Sequence, residues 1–480
     1  MPYLLGIDVG TTTCRCALFD LDGNEIAASY RESTTDFPRP LWAQIHPDHW
    51  WDLVRVVARE VVAQAPGPIA GLGLSGLMHA PVVLDADGRP VAPAQLWMDQ
   101  RSAKQAAAIT RELARGDGGR AIHTTVSASK LRWLSEEEPA AFARARHLML
   151  PKDYVRYRLT GVVGTDRSDA SGTGLWDRER GEWDWAAIEA SRVPRALIPE
   201  ARNAWESGGQ VSEQAAAETG IPAGTPVAMG GADTLCTRIA AGPLAVGDAC
   251  TYMGTATWIG VVGGHAADGS PIFRFGGATA TTGAALRWVR DVFGASGDER
   301  APSASYEALL EGVAEISPGA DGLICLPHLM GERGPTPEPR ARAAMIGLTL
   351  LHRRRHITRA VLEGTALQIR RLYDDRANGE VRCSVVGGGA ARSDLWMQIL
   401  ADVTGVPVRT PRIVETSVLG AAMLGGVAAG LFSLDEAARR MVHPGRSFQP
   451  DETAHAVYNA IYRRYCELDA FLMPRYREEE

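Results

Sequence analysis

Leu4-Leu5-Gly6-Ile7-Asp8-Val9-Gly10-Thr11-Thr12-Thr13-Cys14-Arg15-Cys16-Ala17-Leu18-Phe19-Asp20 runs from an apolar strand through a hydroxyl-rich turn and back into an apolar strand. The pattern predicts a phosphate-binding hairpin. Tyr3 to Ile7 are strand formers, and Gly10 supplies a backbone that can turn tightly and come close to a ligand. Thr11, Thr12 and Thr13 then offer hydroxyls and main-chain N–H groups to an anion. Asp8 ends the first strand, where a single carboxylate can hold a hydrated magnesium ion shared with substrate phosphates. From this segment alone, an ordinary hairpin with a polar turn is the alternative. No G-x-G-x-x-G opens a helix and no Walker A loop occurs, which argues against the dinucleotide and P-loop folds. Cys14 and Cys16 flank Arg15, so as strand residues they should share a face and pack as small hydrophobes.

The same grammar returns at Asp248-Ala249-Cys250-Thr251-Tyr252-Met253-Gly254-Thr255-Ala256-Thr257-Trp258-Ile259-Gly260: strand, Gly-Thr-x-Thr turn, strand. Each hairpin heads a stretch in which strands and helices alternate, so the chain reads as α/β with mixed sheets and a duplicated architecture. At 480 residues it is long enough for two large lobes. A hydrophobic content of 45% with 22% charged residues is that of a soluble globular protein. The net charge of −7 gives no invitation to nucleic acid or to an anionic membrane. The one basic run, His352 to His356, is expected to be a solvated helix start. Seven scattered cysteines support neither a disulfide framework nor a structural zinc site. With no leader-like segment at its start, the chain is expected to be cytoplasmic.

Four further stretches carry polar groups where chemistry could sit. Asp233 follows the strand Val227 to Met229 and the pair Gly230-Gly231, and reads either as a helix cap or as a base at the junction of the lobes. Met78-His79 lies beyond a strand end and, with Trp97-Met98-Asp99-Gln100-Arg101, offers an apolar wall, an imidazole and a carboxylate suited to a polyol. Lys152-Asp153 and the loop from Thr165 to Thr173 read as structural. Gly387-Gly388-Gly389 leads from a strand into a helix, allowing close approach of a phosphate or a flat purine, and Thr281 to Trp288 reads as part of the same pocket.

Taken together, these motifs resemble those of the FGGY carbohydrate kinases, and they stand in that family's order. They are G-I-D-V-G-T-T at 6–12, G-G-A-D at 230–233, M-G-T at 253–255, G-E-R at 331–333, R-A-V-L-E-G at 359–364 and G-G-G-A-A-R-S-D at 387–394. The resemblance implies two duplicated ribonuclease-H-like domains of the actin and hexokinase type with a cleft between them. It implies transfer of the γ-phosphoryl group of ATP, with Mg2+, to a sugar or polyol hydroxyl. By position, Asp233 is then the general base and Asp8 the metal-organising carboxylate. Thr11, Thr12, Thr13, Gly254 and Thr255 would hold phosphates, and Gly283, Arg287, Gly388, Gly389 and Ser393 would line the nucleotide. Met78, His79 and Asp99 would meet the acceptor, Met-His being the pair typical of xylulokinases. Three departures, at Leu77 and Ala80, at Met98 and Gln100, and at Thr124 to Lys130, all fall in the sugar pocket. The Met-His pair makes the expected acceptor a pentulose such as D-xylulose, and the departures leave gluconate, ribulose or erythritol, or a silent nucleotide or sugar sensor, as alternatives. The expected domains are residues 1–243, 244–435 and a C-terminal segment 436–480 ending in a disordered charged tail. A homodimer is left open.

Overall fold

The computed structural model describes residues 1–114, 121–265, 271–293, 305–376 and 380–478. The chain divides into two compact units, Met1–Ala240 with Thr416–His443, and Ala241–Glu415 with Pro444–Glu480.

The first unit is built on the opening hairpin. Strands Tyr3–Val9 and Thr13–Asp20 pair antiparallel, from Tyr3 opposite Asp20 to Val9 opposite Cys14. Strand Glu25–Glu32 extends this side, and strands Ile69–Gly76, Pro226–Ala228 and Ser207–Gln210 extend the other. Alternation sorts the first strand's side chains. Leu5, Ile7 and Val9 join a core with Trp50, Val54, Val57 and Val61 of the helix Pro47–Val62. That core also takes in Cys14 and Cys16, whose thiols burial pushes far above the usual range. Pro47 begins the helix and His46 stands at the N-cap, so Asp48 is a first-turn residue.

The opposite face receives the helix Thr416–Ala428, which is apolar all round and buried on almost every side. Glycines on both surfaces let the backbones touch. A Cβ on Gly6 would strike the Val418 carbonyl, one on Gly73 the Ala421 carbonyl, and one on Gly71 would lie 2.5 Å from the Gly425 oxygen. This helix and the next, Leu434–Met441, thus belong to the first unit, although the sequence reading placed residues 244–435 in the second domain and 436–480 in a separate segment. A helix without a polar face carries no mark of which sheet it covers; the glycines of the receiving strands decide it.

The second unit repeats the sheet. Its order is Pro271–Ala278, Thr257–His265, Asp248–Met253, Cys383–Gly387, Val408–Pro411, Pro444–Phe448. Across this order the pairings are antiparallel, antiparallel, parallel, parallel and antiparallel. The first unit shows the same succession from its edge strand Glu25–Glu32. The duplication expected from two short hairpins therefore extends through both sheets. The basic run opens the helix Arg354–Arg376 with Arg354 and Arg355 in solvent. The chain's last helix is Glu452–Glu478; residues 475–478 belong to it rather than to a disordered tail, and Tyr476 donates to the Arg342 carbonyl at 2.9 Å. Residues 479–480 lie outside the described residues. No helix among the described residues is long and apolar enough to cross a membrane.

Candidate active site

In the first unit, Asp8, Ser75 and Gly231 stand side by side on three parallel strands. Neighbouring strands run about 4.8 Å apart, so Asp8 and the residues just after Gly231 share the carboxyl end of one sheet. Open α/β sheets bind ligands at that end. Asp8 is half-buried, and its Oδ2 accepts from Ser417 Oγ at 2.8 Å. The turn beyond it closes through Gly10 N–H donating to the Thr13 carbonyl at 2.9 Å. Thr11 is buried, with its hydroxyl accepting from Trp97 Nε1 at 3.2 Å, while Thr12 and Thr13 are half-buried.

Asp233 is the first residue of the helix Asp233–Ala240 and is half-buried. Its Oδ1 accepts from the Thr234 N–H at 2.6 Å, so the helix start orients the carboxylate. The Thr234 hydroxyl lies 3.5 Å from Met78 Sδ, which brings the Met-His pair beside Asp233. His79 holds a left-handed backbone, φ 72°, a conformation that costs a residue with a Cβ and persists where the surroundings enforce it. The enforcement is visible: buried Lys130 donates to the His79 carbonyl and to the Thr125 carbonyl, each at 2.8 Å. The ring is fixed as well, by Nδ1 standing 2.6 Å from the Gly172 carbonyl. A carbonyl only accepts, so Nδ1 carries the proton and Nε2 of the neutral ring is an acceptor.

Asp99 is not placed as the sequence suggests. It is fully buried, takes the Ala43 N–H at 2.7 Å, and forms a forked pair with Arg101 at 2.7–3.0 Å. The Arg101 guanidinium in turn lies 3.7 Å above the Trp42 ring. Asp99 thus holds protein groups, and the W-x-D-x-R spacing builds the wall of a loop.

In the second unit the hairpin turn is shorter: Met253 pairs with Thr257, and Gly254 N–H donates to the Ala256 carbonyl at 3.0 Å. The start of the helix Gly283–Phe293 is seated on this turn, with Gly283 N–H on the Gly254 carbonyl at 2.9 Å and Thr282 N–H on the Thr255 carbonyl at 2.9 Å. A Cβ on Gly283 would stand 2.5 Å from the Gly254 oxygen. Gly388, φ 93°, passes so near the same hairpin that a Cβ would lie 2.6 Å from the Met253 oxygen, whereas a Cβ on Gly389 would meet open space. Gly254, Thr255, Gly283, Gly388 and Gly389 are therefore gathered around one turn. Ser393 caps the helix Asp394–Thr404, accepting from Trp396 N–H at 3.2 Å, and Arg287 is half-buried on the helix that Gly283 opens. Buried Thr257, Thr279 and Thr282 bond one another through their hydroxyls at 2.8–2.9 Å and stiffen the turn from behind.

No group of three or more His, Cys, Asp or Glu side chains among the described residues could hold a metal ion. Asp8 does fit a magnesium ion bound through one carboxylate and completed by phosphates and water. Ser417, Thr234 and Gly172 are not among the site residues expected from the sequence, although Gly172 lies in the polar loop Thr165 to Thr173 and Lys130 ends the run Thr124 to Lys130 that departs in the sugar pocket.

Two family models match the chain, both described as FGGY family of carbohydrate kinases: the N-terminal domain over residues 3–240 and the C-terminal domain over residues 255–429. A xylulose kinase of Lactococcus lactis subsp. lactis is 31% identical, covering 96% of this chain and 95% of the relative. A gluconokinase of Bacillus subtilis is 27% identical, covering 99% and 97%. Among solved structures, the xylulose kinase from Rhodospirillum rubrum is 30% identical with a TM-score of 0.76 and covers 99% of this chain and 100% of that one.

Proposed function

The chain belongs to the FGGY family of carbohydrate kinases, and from that premise we propose an ATP-dependent kinase of a neutral pentulose such as D-xylulose. The observation that carries the acceptor reading is the ordered trio Met78, His79 and Asp233. Asp233 accepts the proton of the attacking hydroxyl, work for which a positioned base supplies about 10²–10⁴ in rate. His79, its proton committed to Gly172, accepts a hydrogen bond from a second hydroxyl, and Met78 covers the carbon skeleton. The turn after Met253 holds nucleotide phosphates through backbone N–H groups and threonine hydroxyls, and the turn after Val9 offers groups of the same kind to an anion. Asp8 would hold a magnesium ion, whose charge would offset that of the transferring phosphoryl group.

A neutral acceptor is favoured over an aldonate because four cations of this region serve protein oxygens. Arg101 is paired with Asp99, Lys130 with two carbonyls, and Lys152 and Arg156 with buried aspartates. Relatives named for gluconate keep that acceptor as the second reading. The test is ADP release from MgATP over a panel of ketopentoses, gluconate and erythritol. D-xylulose or another ketopentose should be the best acceptor. Gluconate turned over faster overturns the neutral-acceptor reading, and no turnover with any acceptor despite ATP binding favours a silent sensor. Asp8→Asn should abolish the magnesium response and spare acceptor binding; an unchanged response removes Asp8 from that role.

A further inference from the structure

Lys152 has no solvent exposure, yet its ammonium lies 2.7 Å from Asp153 and 2.9 Å from both Asp166 and Asp169. Buried Arg156 joins Asp153 at 2.8 Å and also donates to the carbonyls of Met229 and Gly164 at 2.8 and 2.6 Å. Two cations face three carboxylates. Burial works against charge on Asp153, but Lys152 and Arg156 outweigh it and hold that carboxyl low. On Asp169 burial wins, Asp166 and Asp153 add to it, and the carboxyl is pushed well up despite Lys152. Such a cluster is a poor source of stability compared with apolar packing and is better suited to fixing one arrangement of its neighbours.

What it fixes is the short helix Arg167–Ala170, gripped at both ends. Asp166 caps it and Asp169 lies within it, and both reach Lys152. Two hydrogen bonds leave this element toward the candidate site. Gly172, whose N–H is tied to the Asp169 carbonyl at 2.9 Å, presents its own carbonyl to His79 Nδ1. Ser168 donates its hydroxyl proton to Asp166 and accepts the Ala232 N–H at 2.9 Å. Ala232 directly precedes Asp233 and lies opposite Gly76 in the sheet, two residues before Met78.

We propose that Ser168 is a positioning residue for phosphoryl transfer: its hydroxyl links the buried Lys152 cluster to the backbone that carries Asp233, so that base and His79 share one rigid frame. The proposal rests on Asp233 being the base. A serine suits the link because one hydroxyl must donate to a carboxylate and accept an amide together, which alanine cannot do and a thiol does poorly.

The test compares Ser168→Ala, Ser168→Cys and Ser168→Thr with the wild type, using MgATP and whichever panel acceptor the wild type turns over fastest, with Asp233→Asn as control. Ser168→Ala and Ser168→Cys should lower kcat about 10- to 100-fold while KM for ATP and acceptor stays within about threefold, the mark of a misplaced base rather than a lost binding group. Ser168→Thr, which keeps the hydroxyl, should recover kcat to within about threefold of the wild type. A merely structural role predicts lower melting temperatures with kcat unchanged, and that result overturns the inference. Equal kcat in the Thr and Cys variants overturns it too, even should the Ala variant not fold. Asp233→Asn that keeps turnover removes the base reading and this inference with it. An inactive Asp233→Asn beside a Ser168→Ala of wild-type kcat removes this inference alone.

Discussion

Two residues before each hairpin turn the two units part company. In the first unit the strand delivers Asp8, Val9 and then the turn from Gly10 to Thr13; in the second it delivers Tyr252, Met253 and the shorter turn from Gly254 to Ala256. The sheets behind the turns have the same order and the same succession of pairings. Around the first turn are two carboxylates at strand and helix ends, Asp8 and Asp233, with a buried charge cluster behind. Around the second are glycine backbones and threonine hydroxyls bonded to one another. A duplicated sheet thus supplies the same geometry twice, a tight turn at the end of a central strand. Its chemistry depends on a handful of side chains at the rim. On the proposed function, the unit with glycines and hydroxyls would cradle a nucleotide, and the unit with acids would activate a hydroxyl and organise a metal.

The contrast breaks most readily at Asp233. Asp233→Ala should lower kcat about 10²–10⁴-fold while binding of a fluorescent ADP analogue, assigned to the second unit, stays unchanged. Turnover near the wild-type level, or a parallel loss of nucleotide affinity, would dissolve the division of labour. Next in size is the packing that belongs to the first unit. Gly73→Ala drives a Cβ into the Ala421 carbonyl, and overpacking of this kind costs about 1–3 kcal/mol or more. The stability of the first unit in a calorimetric or denaturant melt should fall by that amount. An unshifted melt would mean that the helix Thr416–Ala428 is not seated on the strand Ile69–Gly76.

The smallest effect separates the units by pH. In the second unit, buried His328 lies 2.7 Å from Asp469 and 3.0 Å from Glu332. Burial pulls its pKa down, but the hydrogen bonds and charges of Asp469 and Glu332 outweigh burial and raise it to about 9. A raised histidine pKa stabilises the fold fully below the unfolded value of about 6.5 and loses that contribution as pH rises through about 9. Melts of the wild type between pH 7 and pH 10 should therefore lose up to about 2 kcal/mol, and His328→Gln should flatten the dependence. A wild-type slope that survives the substitution would assign the effect elsewhere.

Much of this was legible along the chain. Apolar runs broken by Gly and Thr announce strand, turn, strand, because those residue types impose local geometry, and both hairpins stand where they were read. The strand ends that lead to Met78-His79 and to Asp233 were legible too, since apolar runs stop there at polar or glycine-rich turns. Asp99 was not: a carboxylate in a polar loop looks the same whether it faces a ligand or holds Arg101 against Trp42. Nor was Ser417, which reaches Asp8 from a helix hundreds of positions later in the chain. Its only local sign was a surplus of glycine and alanine, which says that something packs closely without saying what.

The sequence by itself determined the two hairpins, the alternation of strand and helix, and the residue types able to carry phosphoryl transfer. These follow from short-range sterics and from the chemistry of individual side chains. Only the tertiary structure decided which sheet the helix Thr416–Ala428 covers, which carboxylates face inward as scaffold, and how Lys152, Asp166 and Ser168 connect to Asp233. Those outcomes depend on burial and on partners far apart in the chain. A buried charge takes its role from what surrounds it in space, and no pattern of neighbours in sequence records that.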